Sequence, residues 1–375
     1  MNLTCLNETL SRGLSLVRRA VSERSTSLPV LSHVLLDAAP DTLTLAASNL
    51  EWHLVHRFPA QVQTPGRVTV PAAAFAEWVK TLPAHAPSSL TLDPDSLVLT
   101  LTSDATTATF AGMDAAELPL LPEPEGDGIE VEAVALRTAL GRVAFAASHD
   151  PTRFVLTAVL LHFEGETLTL AAADGFRLSE AQVPLAAPVA DPYDVLVPAR
   201  VLDEVRLLLG RTGTVTLAVT EGRDRLAVRY GATTLVSQAV AGRFPNYRGV
   251  LPSATAISLT VNRGELLGAC RRAKVFARDM GGLVRLHLGD DQRLIVVADL
   301  GEEGDSRTTL PVGNHEGAPL EIGFNADFLI EALGALDTKD VSLKFNGAEQ
   351  PGLIDLVGVQ PFVHAIMPMQ IETRA

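Results

Sequence analysis

His53 and His56 stand three apart in EWHLVHRF, and such a pair could begin a metal site. The segment alternates like a strand, so the two rings are expected on opposite faces, where they cannot share an ion. His149-Asp150 sets a base beside an acid, but it follows a helical pattern. A histidine suits the negative end of a helix, so capping is the expected role. Asp174 in AAADGFRL could serve as an acid, yet it recurs in the place of the turn residues Asn49 and Leu300, so a turn role is expected. Cys5 and Cys270 form no C-x-x-C pair and are expected as buried free thiols. No G-x-x-x-x-G-K-[ST], G-x-G-x-x-G or G-x-S-x-G segment occurs. No catalytic residue, metal or cofactor is expected.

The elements that would position these residues repeat. Leu10, Leu14, Val17 and Val21 fall at i, i+4, i+7 and i+11. So do Leu136, Leu140, Val143 and Ala147, and so do Leu266, Cys270, Ala273 and Ala277. This is one apolar helix face drawn three times. Strand patterns follow the same period: LTLAASN from Leu43, LTLAAADG from Leu168 and LIVVADLG from Leu294. A second helix follows each, with faces Phe75, Val79, Leu82; Val201, Val205, Leu208; and Leu329, Leu333, Leu336. Pro71 and Pro198 suit first helical positions, and Asn325 suits an N-cap.

Three element types recurring together define a triplicated α+β unit. The linkers LPEPEGDGIE and LPSATAIS set the domains at 1–123, 124–250 and 251–375. A chain of 375 residues accommodates this number. No run of about 18 apolar residues occurs, so no membrane span is expected. The N-terminus lacks a basic region followed by an apolar one, which makes the cytoplasm the expected compartment.

Net charge is −14, which by itself argues against a nucleic acid partner. Its distribution argues otherwise. The helical windows 7–24, 71–82, 135–149, 198–210, 262–278 and 323–336 together carry +6, so strands and loops hold −20. If the helices of all repeats faced one space, that space would be positive and would suit a polyanion bound through its phosphates. Between Lys80 and Arg137 there is no Lys or Arg.

Three segments break the uniformity of the repeat: AADGFRL at 172–178, GRFPNYRGVLP at 242–252 and the terminal MPMQI. In this order, beside a triplicated α+β unit and with EIGFN at 321–325, they resemble the bacterial DNA polymerase III beta subunit family, the sliding clamps. The resemblance spans essentially the whole chain. It implies three clamp domains in a crescent and a head-to-tail homodimeric ring, with helices lining the central hole. Such a ring slides on double-stranded DNA without reading sequence and performs no catalysis. It tethers the replicative DNA polymerase through effective concentration. The clamp loader and repair proteins are the other implied partners, through short linear motifs.

Carried over by the resemblance, the partner-peptide pocket comprises Leu156, Ala173, Gly175, Phe176, Arg177, Leu178, Pro245, Val250, Asn325, Phe328, Ile366, Met367, Pro368 and Met369. Arg24, Arg153 and Arg200 match or neighbour basic family positions expected to face DNA. Arg142, Arg271, Arg272 and Lys274 join them from helix charge alone. Phe154 departs from the family's Tyr on a DNA-contacting loop. The implied dimer interface holds Phe110 against Val275 and Phe276, with Glu302, Glu303 and Asp305 nearby. The family's basic side of that interface is missing here, so weak salt dependence of dimerisation is expected. Gln370 stands where a basic residue is common, and Glu372–Ala375 extends past the family's usual end. Two other readings compete: a peptide-binding scaffold that does not encircle DNA, and an enzyme using Asp174, His149 and Arg177.

Overall fold

The computed structural model describes residues 1–22, 28–124, 126–252, 254–278, 281–289, 292–300, 304–358 and 361–371. The repeated apolar faces form helices: α1 Asn7–Val17, α2 Ala72–Lys80, α3 Ala133–Val143, α4 Ala199–Leu208, α5 Arg263–Phe276 and α6 Ala326–Ala335. Of the twelve residues expected on the first-helix faces, all but Val21 are buried, Cys270 among them. Val21 falls outside because α1 tightens into a 3-10 turn at Arg18–Ala20 and then extends. Gly13 lets α1 approach its sheet closely: a Cβ there would lie 2.9 Å from Leu45 Cδ1.

Asn325 caps α6 as expected, its side chain accepting the Asp327 N–H, and Asn262 caps α5 in the same way. The two prolines sit one position earlier than expected. Pro71 and Pro198 end strands, and the helices begin at Ala72 and Ala199. The fixed φ of proline serves the strand exit there.

The chain divides into two compact units, Met1–Val134 with Leu207–Ala239 and Ala135–Arg206 with Val240–Ala375. The first holds two antiparallel sheets. One runs Gln61–Thr64, Asn2–Leu6, Pro87–Leu92, Val98–Ser103, Thr106–Ala111. The other runs Ile129–Glu132, Thr214–Val219, Arg225–Tyr230, Thr233–Gln238, Trp52–Pro59, Thr42–Ser48, His33–Ala39, Gly66–Pro71. The second unit holds one twelve-stranded sheet, from Tyr193–Pro198 at one edge to Leu320–Asn325 at the other. No helix among the described residues is long and apolar enough to cross a membrane.

One junction recurs in both units. Thr233–Gln238 pairs with Trp52–Pro59, Leu235 opposite Leu54. Phe362–Ile366 pairs with Arg177–Pro184, His364 opposite Ser179. A third such pair is not made among the described residues. There, Thr106–Ala111 ends its sheet with Val98–Ser103 as its one neighbour, and residues 305–311 pair on one side, with Arg293–Asp299. After its last strand, each repeat bonds through its backbone to its own outer strand. Met113 N–H donates to Thr69 O at 2.9 Å, Val240 N–H to Leu196 O at 2.7 Å and Met369 N–H to Gly323 O at 2.8 Å. The terminal MPM is therefore the third copy of a strand exit.

Candidate functional site

The turn between Thr167–Ala173 and Arg177–Pro184 is built by Asp174. Its Oδ1 accepts the backbone N–H of Phe176 at 2.8 Å and of Arg177 at 3.0 Å. This is the expected turn role, an Asx turn. Gly175 takes φ +95°, which a side chain would strain, and a Cβ there would lie 3.1 Å from Arg153 Nη1. The turn leaves Phe176 57% exposed. The carbonyl of Phe176 accepts the Met367 N–H at 2.8 Å, which stitches the end of the chain to the turn.

Arg177 behaves differently from its neighbour. Its residue is 6% exposed. Its Nε donates to Asp174 Oδ2 at 3.0 Å, Nη1 to Glu331 Oε2 at 2.5 Å and Nη2 to Phe145 O at 3.0 Å. The guanidinium also lies 4.6 Å from the Phe328 ring centroid and 5.4 Å from that of Phe145. A buried cation survives only when its donors are matched in this way.

Beside the turn lies a mostly apolar cavity of about 420 Å³. The 3-10 segment Pro151–Thr157 supplies Leu156, and residues 245–250 supply the facing wall. That wall is anchored by Tyr247, whose hydroxyl donates to Glu180 Oε2 at 2.6 Å and whose ring meets Phe244 edge-on. Burial, with Glu180 adding to it, holds the Tyr247 phenol protonated far above its ordinary range. A second cavity, about 620 Å³, shares Pro245, Asn246 and Tyr247 and adds the polar side chains of Arg243, Arg248 and His162, whose Nδ1 lies 2.6 Å from Asp194.

Nine of the fourteen expected pocket residues line the apolar cavity: Leu156, Ala173, Gly175, Phe176, Arg177, Leu178, Pro245, Val250 and Met367. The other five are outside its lining. Ile366 is 1% exposed and fixed opposite Arg177 in the sheet. Asn325 caps α6, Phe328 packs under Arg177, and Met369 bridges to Gly323, with Pro368 between it and Met367. The sequence reading missed Asn246, Tyr247, Pro351 and Ala365 as lining residues. Tyr247 was the legible one, an aromatic ring inside the GRFPNYRGVLP segment.

The residues expected to face DNA separate into groups. Arg271 and Arg272 are exposed on α5, and Arg200 is exposed on α4. Lys274 is bound to Asp327. Arg153 is held at the Asp174 turn, its Nη1 donating to Asp174 O at 3.1 Å. Arg142 corrects the helix-charge argument. It is 9% exposed, and its Nη2 donates to Asp337 Oδ1 at 2.8 Å, so the charge is matched inside the protein. Arg24 lies outside the described residues.

At the expected dimer surface, Val275 is 55% exposed and Phe276 partly buried. Phe110 lies on the edge strand Thr106–Ala111 with its ring packed within the protomer, edge-on to Phe75 at 5.0 Å and to Trp78 at 6.1 Å. Glu302, Glu303 and the extension Glu372–Ala375 lie outside the described residues.

Two of the histidines considered for chemistry, His53 and His56, have structural partners. His53 Nδ1 accepts the Leu121 N–H at 3.1 Å, and burial lowers this ring to about 4. His56 lies 2.8 Å from Thr233 Oγ1, and burial, reinforced by Arg12, lowers it too. His149 is exposed beyond the 3-10 turn Ala144–Ala146, whose C-cap is Ala147. Burial pushes the thiols of Cys5 and Cys270 up to about 12, which keeps them protonated and poor nucleophiles.

Comparisons with known proteins agree along the whole chain. Family models of the DNA polymerase III beta subunit match three stretches in order: the N-terminal domain at 1–122, the central domain at 130–246 and the C-terminal domain at 248–370. The beta sliding clamp of Synechococcus elongatus is 32% identical over 100% of this chain and 100% of its own. That of Pseudomonas putida is 30% identical over 99% and 100%. Among solved structures, the DNA polymerase III subunit beta from Pseudomonas aeruginosa superposes with TM-score 0.91 at 28% identity, covering 99% of this chain and 100% of that one. A DnaN sliding clamp from the same organism, bound to griselimycin, superposes with TM-score 0.93 at 28% identity and the same coverage.

Proposed function

Because the chain belongs to the DNA polymerase III beta subunit family, the beta sliding clamps, we propose that two copies close head to tail around double-stranded DNA and carry partner proteins along it. It is a processivity clamp for DNA polymerase III made of three clamp domains, which we take as 1–123, 124–250 and 251–375. Its place of work is the cytoplasm. The clamp does no chemistry of its own. It holds the polymerase at the primer end by raising its effective concentration there.

The observation that carries the ring is the unfinished third junction. Two repeats are joined to the next by the same antiparallel strand pair, and the described chain leaves one free partner of that pair at each extremity. An unpaired strand edge is a template for another chain. Two copies satisfy both of these junction edges at once. Exposed Arg271 and Arg272 on α5 are cations offered to phosphate, where contact needs no base recognition.

The apolar cavity is the partner site. Its volume and lining suit the apolar side chains of a short peptide, and Met367 and Phe176 at its mouth adapt to different ligands. We infer that griselimycin, which occupies the Pseudomonas aeruginosa clamp, binds this chain in the same cavity.

Loading onto nicked circular DNA tests the ring. A closed ring stays on the circle in about 1 M salt and leaves once the DNA is linearised, because only topology holds it. A protein held by phosphate contacts is stripped by salt from both forms. Equal loss from circle and line would leave a peptide-binding scaffold that does not encircle DNA.

A further inference from the structure

Arg177 lines the cavity, but its charged end is committed elsewhere. Two carboxylates on different elements grip it: Asp174 in its own turn and Glu331 on α6. Asp174 uses its second oxygen to hold the backbone of Phe176 and Arg177. A chain of charge-assisted bonds therefore runs from Glu331 through Arg177 and Asp174 to the turn that presents Phe176. Glu331 does not line the cavity, and its side chain is 50% exposed while that of Arg177 is 4% exposed. From this geometry we propose that Glu331 is a positioning residue for the partner site, setting its affinity at second hand by fixing the turn to α6. The inference rests on the reading of the cavity as the partner site.

The physical reason is the number of holds on the guanidinium. A planar fork matched by acceptors on three segments has one orientation. Removing Glu331 leaves Arg177 paired with Asp174 and capped by Phe145 O, so the charge remains compensated and the fold survives. What is lost is the hydrogen bond from this fork to α6. The turn can then swing on its own hairpin, and Phe176, with the carbonyl that meets Met367, moves with it. A binding wall that must be re-ordered by its ligand binds more weakly.

The test uses the full chain with Glu331→Ala and Glu331→Gln, and with Glu321→Ala as a control. Glu321 carries a half-exposed ion pair to Arg285 in the same repeat, away from the cavity. Griselimycin affinity is the first readout, and amide hydrogen exchange at Phe176 and Arg177 the second. The expected result is binding weakened about tenfold in Glu331→Ala, roughly 1.4 kcal/mol, less in Glu331→Gln, and unchanged in Glu321→Ala. Exchange at Phe176 and Arg177 rises, while the amides of Leu161 and Leu170 in the same sheet keep their protection. A general loss of stability would raise all four together. Affinity of Glu331→Ala within twofold of wild type, or unaltered exchange at the turn, overturns the proposal. Absence of griselimycin binding by the wild type would instead overturn the cavity reading, and the exchange arm would still decide whether Glu331 holds the turn.

Discussion

His364 sits opposite Ser179 at the second junction, fully buried, with its Nδ1 2.6 Å from Ser179 Oγ. Lost hydration, and then the nearby Arg177 charge, lower its ring to about 3. In the unfolded chain it returns to about 6.5. Between these values the unfolded state binds a proton that the folded state refuses, so stability is full above pH 6.5 and falls on acidification. From pH 7 to pH 5 this single ring costs about 2 kcal/mol. His53, lowered to about 4, acts in the same direction in the other unit. Urea unfolding at the two pH values, compared between wild type and His364→Gln, isolates the contribution, since the carboxylates are common to both. The variant is expected to lose about 2 kcal/mol less than wild type on going to pH 5. Equal losses would remove His364 from the account.

At the scale of elements, the period was the legible part. Helix faces and strand starts recur because each repeat buries the same positions, and burial is what apolar spacing records. The apolar half of the candidate site was also legible, through segments whose composition departs from the repeat. Charges were harder. Arg142 and Arg271 look alike in a helical window, yet one is buried against Asp337 and the other exposed, because a long side chain's fate depends on which acid it meets across the fold. Glu331 gave no signal for the same reason. The division into two compact units was also illegible, since strand pairing across a junction leaves no period. Yet the junctions carry a register. Leu235 lies five residues before Val240, and His364 five before Met369, so Ala108, five before Met113, is their counterpart. Leu54, Ser179 and Ser306 face Ala47, Ala172 and Ala298 in equivalent hairpins. Ala108 of one copy should therefore stand opposite Ser306 of the other. A chain with Ala108→Cys and Ser306→Cys is expected to oxidise to a covalent dimer far faster than one with Ala108→Cys and Thr308→Cys, and Cys5 and Cys270 are too buried to interfere. Equal rates, or faster linkage of the second pair, would mean a different register.

At the scale of the whole molecule, closure of the ring must overcome the charge of its parts. Each copy carries −14, so two copies repel at long range. The contact itself offers little attraction between charges. Thr106–Ala111 has no charged side chain, and no Lys or Arg occurs from 81 to 136. The strand it would meet begins with Asp305 and carries Arg307, neither with an opposite charge across the register. What remains is a ladder of backbone hydrogen bonds with apolar cover from exposed Val275, and neither depends much on ionic strength. Salt screens the repulsion and leaves the ladder alone. The dimer dissociation constant is therefore expected to stay level or fall, by no more than about threefold, between roughly 0.05 and 0.5 M salt. Dilution series followed by mass at each salt concentration measure this directly. A dissociation constant that rises tenfold with salt would show that ion pairs close the ring, and would return the acids near 302–305 to the interface with cations other than those of the first repeat's edge strand.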